Sequence, residues 1–537
     1  LFGTFALTQL RVRSRAANPI STSTNCSHYQ CNVVSFALLS YINRIKSNAP
    51  IINTKLATTV TSTKMFIYLP TLITFICGLY LYFTRGFDFW KVRNVKGPNP
   101  IPFFGNYIDV FFRRKHIGVL YHDIYKQYPD EKVVGLFRMM SPTLLIRDLD
   151  IVKQVLIKDF ESFPDRGVYY SKQKLGTNLF HADVEVMKAL RKHLTAVFTS
   201  NKFKTNFDML VNRAEQFSEY VGRINQANGE LLVSDLKPYD DTNPICDVLD
   251  EGIQKPSYFT ELELLFPGSL TKFDLSIFPD KITQYFKGII EAGATLRVTE
   301  KSEKNRAIDV MMERSMPLRK EMAKKKLLVE ITDELLAAQA FIFFFAGYGN
   351  NSLLTSYALY YLAKNSEKQD ILIQEIDEVL LKHDGKFSYE ALKEMKDFTS
   401  TPLTNAVVRN AARDVQLEGT DIIIPKNTIL AISPYSFQHD EKYFPEPEKF
   451  KPERFSAENV RELHPCAMLS FGLGPRSCLG SKFAQLQFSI CIVKILLKYR
   501  VECTKNTPET LSYTPMRLLL TPNERINLRL VSRDKSY

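Results

Sequence analysis

The sequence predicts a mainly α-helical body with a smaller β-rich subdomain, preceded by one apolar anchor helix. Three observations carry this reading. Phe66 to Phe83 contains no charged residue. Ile331 to Leu362 is long and, from Ala337 to Ala346, almost continuously apolar, as a helix buried on all sides reads. Val133-Val134-Gly135-Leu136-Phe137 and Thr143-Leu144-Leu145-Ile146-Arg147 read as two short strands joined by a Met-Met-Ser-Pro turn.

The bulk numbers fit one large two-lobed unit: 537 residues, 45% of them hydrophobic. The 8 cysteines (26, 31, 77, 246, 466, 478, 491 and 503) are scattered and include no CxxC pair. This argues for a reducing compartment and against a disulfide scaffold or a zinc site. There is no P-loop, no HExxH and no internal repeat. The net charge is +12; residues 1–64 hold seven Lys or Arg and no acid, which leaves +5 for the rest. A mildly basic body suits an anionic membrane surface or an acidic protein partner. No nucleic-acid partner is expected, because no dense Lys/Arg stripe is interleaved with aromatics.

Taken in order, residues 1–64 form an atypical basic extension rich in Ser, Thr and Asn. Organelle transit peptides and translated upstream sequence both look like this; the second is preferred, because Met65 opens a complete start. Residues 65–84 are the expected transmembrane anchor. As a helix, Phe66–Phe83 spans about 27 Å at ~1.5 Å per residue, against a hydrocarbon core of ~30 Å. Arg85, Lys91, Arg93 and Lys96 follow and hold the body on the cytoplasmic face by the positive-inside tendency. A basic, Pro-rich hinge over 85–102 ends in Gly97-Pro98-Asn99-Pro100-Ile101-Pro102, stiff because proline fixes φ. Residues 103–537 are the main domain.

Within that domain, 185–198 reads as a helix with Leu190, Leu194 and Phe198 at i, i+4 and i+8. Pro238 to Glu251 is polar and acidic and reads as loop. Val407-Val408-Arg409 is a strand, and Val415 to Pro425 a strand pair around Glu418-Gly419-Thr420. Residues 481–500 make a helix, and strands near 512–520 and 526–531 close the chain. Segments 164–182, 258–290, 401–408 and 511–517 are aromatic and apolar, suited to lining a pocket for lipophilic compounds.

The most specific signal is Phe471-Gly472-Leu473-Gly474-Pro475-Arg476-Ser477-Cys478-Leu479-Gly480. Gly472 and Gly474 tolerate positive φ, so the loop can fold tightly. Cys478 falls just before the helix starting near Ser481, where unpaired N–H groups and the helix dipole favour a negative sulfur. A lone cysteine is more often a small buried hydrophobe. These neighbours at these spacings reverse that weighting. A dinucleotide-binding loop is excluded, because Ser477 stands where a third glycine is required. The arrangement suits a thiolate ligand of haem iron, with Arg476 able to reach a porphyrin propionate and Gly480 leaving room for a flat ligand.

This segment resembles the haem-binding loop of the cytochrome P450 superfamily. The resemblance covers most of residues 65–537 and looks closest to the insect microsomal branch. It implies haem b (iron protoporphyrin IX) with Cys478 as the cysteine thiolate axial ligand. Arg191, Arg409 and Arg476 would neutralise the propionates, Phe471 would shield the sulfur and Gly480 would border the porphyrin. Ala346 and Gly347 would border the oxygen pocket, with Asn350 holding a water. The implied reaction inserts one atom of O2 into a lipophilic small molecule, a xenobiotic such as a plant toxin or an endogenous lipid. Electrons would come from NADPH through NADPH–cytochrome reductase, with cytochrome b5 as an accessory donor. The place implied is the cytoplasmic face of the endoplasmic reticulum membrane.

The chain departs from that pattern in four places. Met187 stands four residues before Arg191, where the family has Trp. Gly349-Asn350 replaces an acid and a hydroxyl. The stretch at 225–262 is too polar for the helices expected there. Most seriously, no Glu from Glu390 to Arg413 is followed three residues later by Arg, although the Pro452-Glu453-Arg454-Phe455 segment that such a helix would bind is present. Arg454 is therefore expected to be unpaired. Two other readings stand beside the first: a catalytically impaired membrane protein from a damaged gene or gene model, and a peroxide-using haem-thiolate enzyme that needs neither proton relay nor reductase.

Overall fold

The computed structural model describes residues 54–167, 174–233, 269–299 and 317–324 apart from 274, 276–277, 279, 319 and 323, then 332–395, and 406–533 apart from 518. Most of the basic extension (1–53), the acidic stretch at 238–251 and the break at 396–405 lie outside the described residues. The chain divides into a short N-terminal unit, Thr8–Arg85, and a large one holding Gly86–Tyr537.

In the first unit the described element is helix α1 (Thr54–Thr84), with Pro70 inside it. Tyr68, Leu69, Leu72, Ile73, Phe75 and Ile76 are each more than half exposed. Among the described residues, no helix is long and apolar enough to cross a membrane. The expected anchor over 66–83 is thus corrected to an exposed apolar helix.

The large unit is mainly helical, as expected. Helices α2 (Ile117–Gln127) and α3 (Leu149–Lys153) flank the hairpin β1 (Val133–Arg138) and β2 (Ser141–Ile146). Met139 takes positive φ at the turn, and Val134, Leu136, Leu144, Leu145 and Ile146 are fully buried. After α4 (Val184–Leu194) come α5 (Phe207–Asn228), β3 (Leu231–Leu232) and α6 (Asp280–Thr299). The central helix α7 (Asp333–Lys364) is continuous across its glycines. The Thr332 hydroxyl accepts from the Leu335 N–H at its start, and Asp333 and Glu334 favour the dipole there. Two more helices follow, α8 (Ser366–Lys382) and α9 (Tyr389–Glu394). Strands β4 (Val407–Asn410), β5 (Val415–Gln416), β6 (Ile423–Ile424) and β7 (Ile429–Ile432) lead to α10 (Ser481–Lys498), β8 (Tyr499–Cys503) and β9 (Asn527–Ser532).

The main sheet runs β1-β2-β7-β4, with β2 and β7 parallel and the other pairs antiparallel. A β3-β9-β8 sheet and the β5-β6 pair complete the strands. One apolar cluster gathers the helices, including α4, α5, α7 and α10, and a second surrounds the main sheet. Among the described residues the strand expected near 512–520 does not form; an isolated bridge joins Tyr513 to Pro522 there, because Pro515 and Pro522 lack N–H donors.

The Pro-rich hinge is a strap lying against β1. The Gly135 N–H donates to the Lys96 carbonyl at 2.8 Å, and Trp90 Nε1–H donates to the Leu136 carbonyl at 2.8 Å. Asn106 donates to Pro98 and accepts from the Phe137 N–H. Its stiffness therefore comes from tertiary contacts as well as from proline. Arg454 also differs from expectation. Its guanidinium donates to the carbonyls of Pro445, Glu446 and Lys449 at 2.8, 3.0 and 3.0 Å, because the preceding turn aims them at it. It is paired, though not to a carboxylate.

Candidate active site

The cysteine loop is closed by its own backbone. The N–H groups of Gly472, Ser477 and Cys478 donate to Leu469, Gly474 and Phe471 respectively, all at 2.8–2.9 Å. Gly474 takes φ +70, and a Cβ there would stand 1.8 Å from the Leu156 carbonyl oxygen, so the loop packs against 156–157 only because no side chain intervenes. Cys478 is exposed and stands two residues before Gly480, the N-cap of α10. A Cβ on Gly480 would meet the Phe198 ring at 3.5 Å, ordinary contact. One expectation is corrected here: desolvation pushes the Cys478 thiol up, and the Gly480 backbone, Arg191 and Arg166 pull it down only in part. The helix terminus alone does not make a thiolate; a bound metal ion would.

The three expected arginines converge around this loop. Arg191 donates from Nη1 to the Ser477 carbonyl at 2.7 Å and from Nη2 to the Ser477 hydroxyl at 3.2 Å. Arg476, buried, donates from Nε to Pro164 at 3.0 Å and from Nη2 to Ala182 at 2.9 Å, and lies 3.6 Å from Asp165. Arg409 is 2% exposed; its Nη1 donates to Val408 at 2.9 Å, and its Nε has no partner. A fourth arginine was missed by sequence reasoning. Arg166 donates to the carbonyls of Phe180 and Arg476 at 2.8 and 3.0 Å. The only local signal was Asp165-Arg166-Gly167. The segment is positioned by a bridge between Asp165 and Asn410 on β4, a pairing remote in sequence.

Four guanidiniums crowd one another. Burial, followed by the charges of Arg409, Arg476 and Arg191, pushes the Arg166 pKa well down. Burial and Arg476 hold Arg409 down to about 10. Burial and then the charges of Arg166 and Arg476 push His181 down to about 3. The acids acting on Arg476 are Asp165 and Asp183. This leaves a cationic surplus of two among the named groups, with one buried Nε orphaned. Like charges buried together need anions. A porphyrin with two propionates fits that need, and Cys478 supplies a sulfur beside it.

Across from the loop stands α7. The Phe343 ring meets Phe198 edge-on at 5.1 Å, and Phe198 also neighbours Gly480. Phe343, Ala346, Gly347 and Asn350 share one helical face, with Ala346 exposed. Asn350 donates one Nδ2 hydrogen to the Ala346 carbonyl at 2.8 Å, which leaves its second N–H and its Oδ1 to hold a water. Behind this face Phe278, Phe286, Phe341, Phe344, Phe345 and Tyr348 form a linked aromatic cluster. Phe471 is half-buried in the loop, and Met187 is buried in the helical core where the family's indole was expected.

A family model for cytochrome P450 matches residues 95–249 and 239–530. Cytochrome P450 6B6 of Helicoverpa armigera is 42% identical over 500 residues, covering 87% of this chain and 98% of the relative. Cytochrome P450 6B1 of Papilio polyxenes is 41% identical, covering 87% and 100%. Cytochrome P450 6j1 of Blattella germanica is 31% identical, covering 87% and 97%. Since 87% of 537 residues is about 467, some thirty of the 500 aligned positions in the first case have no counterpart here. Haem held by a cysteine thiolate is the cofactor of these monooxygenases. With the family model spanning most of its length and insect relatives matched nearly end to end, the chain belongs to the cytochrome P450 family, in its insect branch.

Proposed function

We propose that Cys478 is the thiolate that holds haem b, with Arg166, Arg191, Arg409 and Arg476 on the propionate side. We further propose that the chain inserts one atom of O2 into a lipophilic small molecule. The observation that carries this is the exposed Cys478 loop, ringed by four arginines and set opposite the open face of α7. Bound haem supplies the one-electron and oxygen chemistry. The chain's own residues do the rest. Arg191 ties the Ser477 carbonyl and so fixes the loop that presents the sulfur. The Phe471 carbonyl holds the Cys478 N–H and keeps the sulfur from swinging away. Arg409, with a free Nε, receives a propionate without a prior partner to displace. Phe343 and Phe198 wall the site with apolar surface and keep water out.

The linked aromatic cluster around α7 supports a lipophilic substrate, and the insect relatives support xenobiotics as its class. The chain carries no flavin or nicotinamide motif, so electrons come from NADPH through a reductase, with cytochrome b5 as an accessory donor. Exposed Lys482 beside the loop supports docking of an acidic patch. The exposed apolar side of α1 and the basic residues after it support attachment to the endoplasmic reticulum membrane from the cytoplasmic side. The domain limits at 64, 84 and 102 belong to this same reading.

The test is Cys478→Ser in the full chain reconstituted with haem. The parent shows the thiolate-type spectrum of the reduced, CO-bound form and the variant does not; a variant that keeps this spectrum removes Cys478 from the iron. A catalytically impaired chain is a second reading, favoured by the thirty or so aligned positions without counterpart. Purified chain that takes up no haem supports it over the first.

A further inference from the structure

Gln339 is the one polar residue in the apolar run from Ala337 to Ala346 on α7, and it is 1% exposed. It stands one turn before Phe343, so it extends the stripe of Phe343, Ala346, Gly347 and Asn350 toward the N-terminus of the helix. A buried amide has two N–H groups and one oxygen to satisfy. Gln339 satisfies all three. Its Nε2 donates to the Leu335 carbonyl at 3.1 Å, within α7, and to the Thr177 carbonyl at 3.2 Å. Its Oε1 accepts from the Leu179 N–H at 2.8 Å. Two carbonyls and one N–H as partners leave the amide a single orientation. Two of its three bonds thus cross from α7 to the backbone of the segment 175–182.

That segment is tied at its other end to the arginine cluster. Asn178, fully buried, folds it: Nδ2 donates to the Leu175 carbonyl at 2.6 Å, and Oδ1 accepts from the N–H groups of Phe180 and His181 at 2.9 and 3.1 Å. Leu175, Leu179 and Ala182 are buried in the helical core. The Phe180 carbonyl accepts from Arg166 at 2.8 Å, and the Ala182 carbonyl from Arg476 at 2.9 Å. One buried amide therefore joins α7 to the segment that holds two of the four arginines. We propose that Gln339 is a positioning residue, which pins 177–179 across the N-terminal end of the open stripe and so sets how bulky a molecule reaches the haem from that end. This rests on the haem-thiolate reading above. The tie needs an amide. A carboxylate keeps the acceptor and loses the donors, and an apolar side chain loses both.

The experiment uses full-length chain reconstituted with haem and reduced. Association of CO, a small ligand, is compared with association of n-butyl isocyanide, a bulky one, by flash photolysis. Gln339→Met fills the same space and makes none of the bonds. It should speed isocyanide association by about tenfold, the weight of two hydrogen bonds, and leave CO association nearly unchanged. Gln339→Glu keeps the acceptor for Leu179 and should fall between Gln339→Met and the parent. The ratio of the two rates is read on haem-bound protein, so a loss of stability alone does not move it. A ratio unchanged in Gln339→Met overturns the proposal, as does equal speeding of both ligands, which reports a general loosening. Should Gln339→Met take up no haem, Gln339→Glu carries the test, and a ratio equal to the parent's overturns the proposal. Absence of the thiolate-type CO spectrum in the parent overturns the underlying reading instead, and the proposal with it.

Discussion

Arg409→Met should move the stability of the chain and its hold on haem in opposite directions. Arg409 is 2% exposed, donates from Nη1 to the Val408 carbonyl and has an orphaned Nε. Burial, then the charge of Arg476, lowers its pKa from 12.5 to about 10. That depression of about 2.5 units, at ~1.36 kcal/mol each, makes the charge about 3 kcal/mol less favourable here than in water. Methionine removes the charge and the orphan but loses the Val408 bond, worth about 1 kcal/mol, and some packing. The haem-free variant should therefore be more stable by about 1–2 kcal/mol, within the range seen when a poorly compensated buried charge becomes apolar. With haem the sign reverses. Losing a charge-assisted bond to a propionate costs about 1.5–3 kcal/mol, or roughly tenfold to a hundredfold in affinity. Urea unfolding of the haem-free proteins gives the first number, and the rate of haem transfer to an excess of a haem-binding acceptor gives the second. A haem-free variant less stable than its parent, or one that retains haem equally well, refutes the account of the arginine pocket.

Gly474→Ala forces a non-glycine residue to φ +70 and sets a Cβ 1.8 Å from the Leu156 oxygen; it should cost about 3 kcal/mol or more in urea unfolding, and a neutral result would contradict the packing described. His122 is buried, its Nδ1 is unpartnered, and burial, Lys126 and His439 hold it down to about 4. Between about pH 6.5 and pH 4 the unfolded chain binds a proton that the fold refuses, so stability falls as pH falls through that window, by up to about 3 kcal/mol. His122→Leu should flatten this slope; equal slopes in parent and variant at pH 7 and pH 5 would count against it. Trp90 is the single tryptophan, so its emission reports directly on the strap. Gly135→Ala places a Cβ 2.5 Å from the indole and should shift emission to the red; an unchanged spectrum means that the strap is not seated there.

Particular elements show why some of this was legible and some was not. Helix α7 was read within two residues at each end, because its apolar run and its capping Thr332 are local signals. The β1-β2 hairpin was legible for the same reason, as were the two glycines of positive φ around the cysteine. The 512–520 strand failed because prolines deny it a ladder. Arg166 was missed because its role depends on Asp165 bridging to Asn410, a partner 245 residues away that no window of sequence contains. Arg454 was misjudged because a missing carboxylate was taken as a missing partner, whereas backbone carbonyls were turned toward it by the fold.

The sequence by itself determined the family, the mainly helical class and the cysteine loop with the residues around it, since each rests on residue types at short, fixed spacings. Only the tertiary structure decided how those residues combine. It gathered four arginines from distant segments, raised the Cys478 thiol by desolvation despite the nearby helix terminus, and tied one amide N–H of Asn350 to the Ala346 carbonyl. Charge burial, desolvation and the direction of a hydrogen bond depend on what surrounds a group in space, and chain order does not specify that.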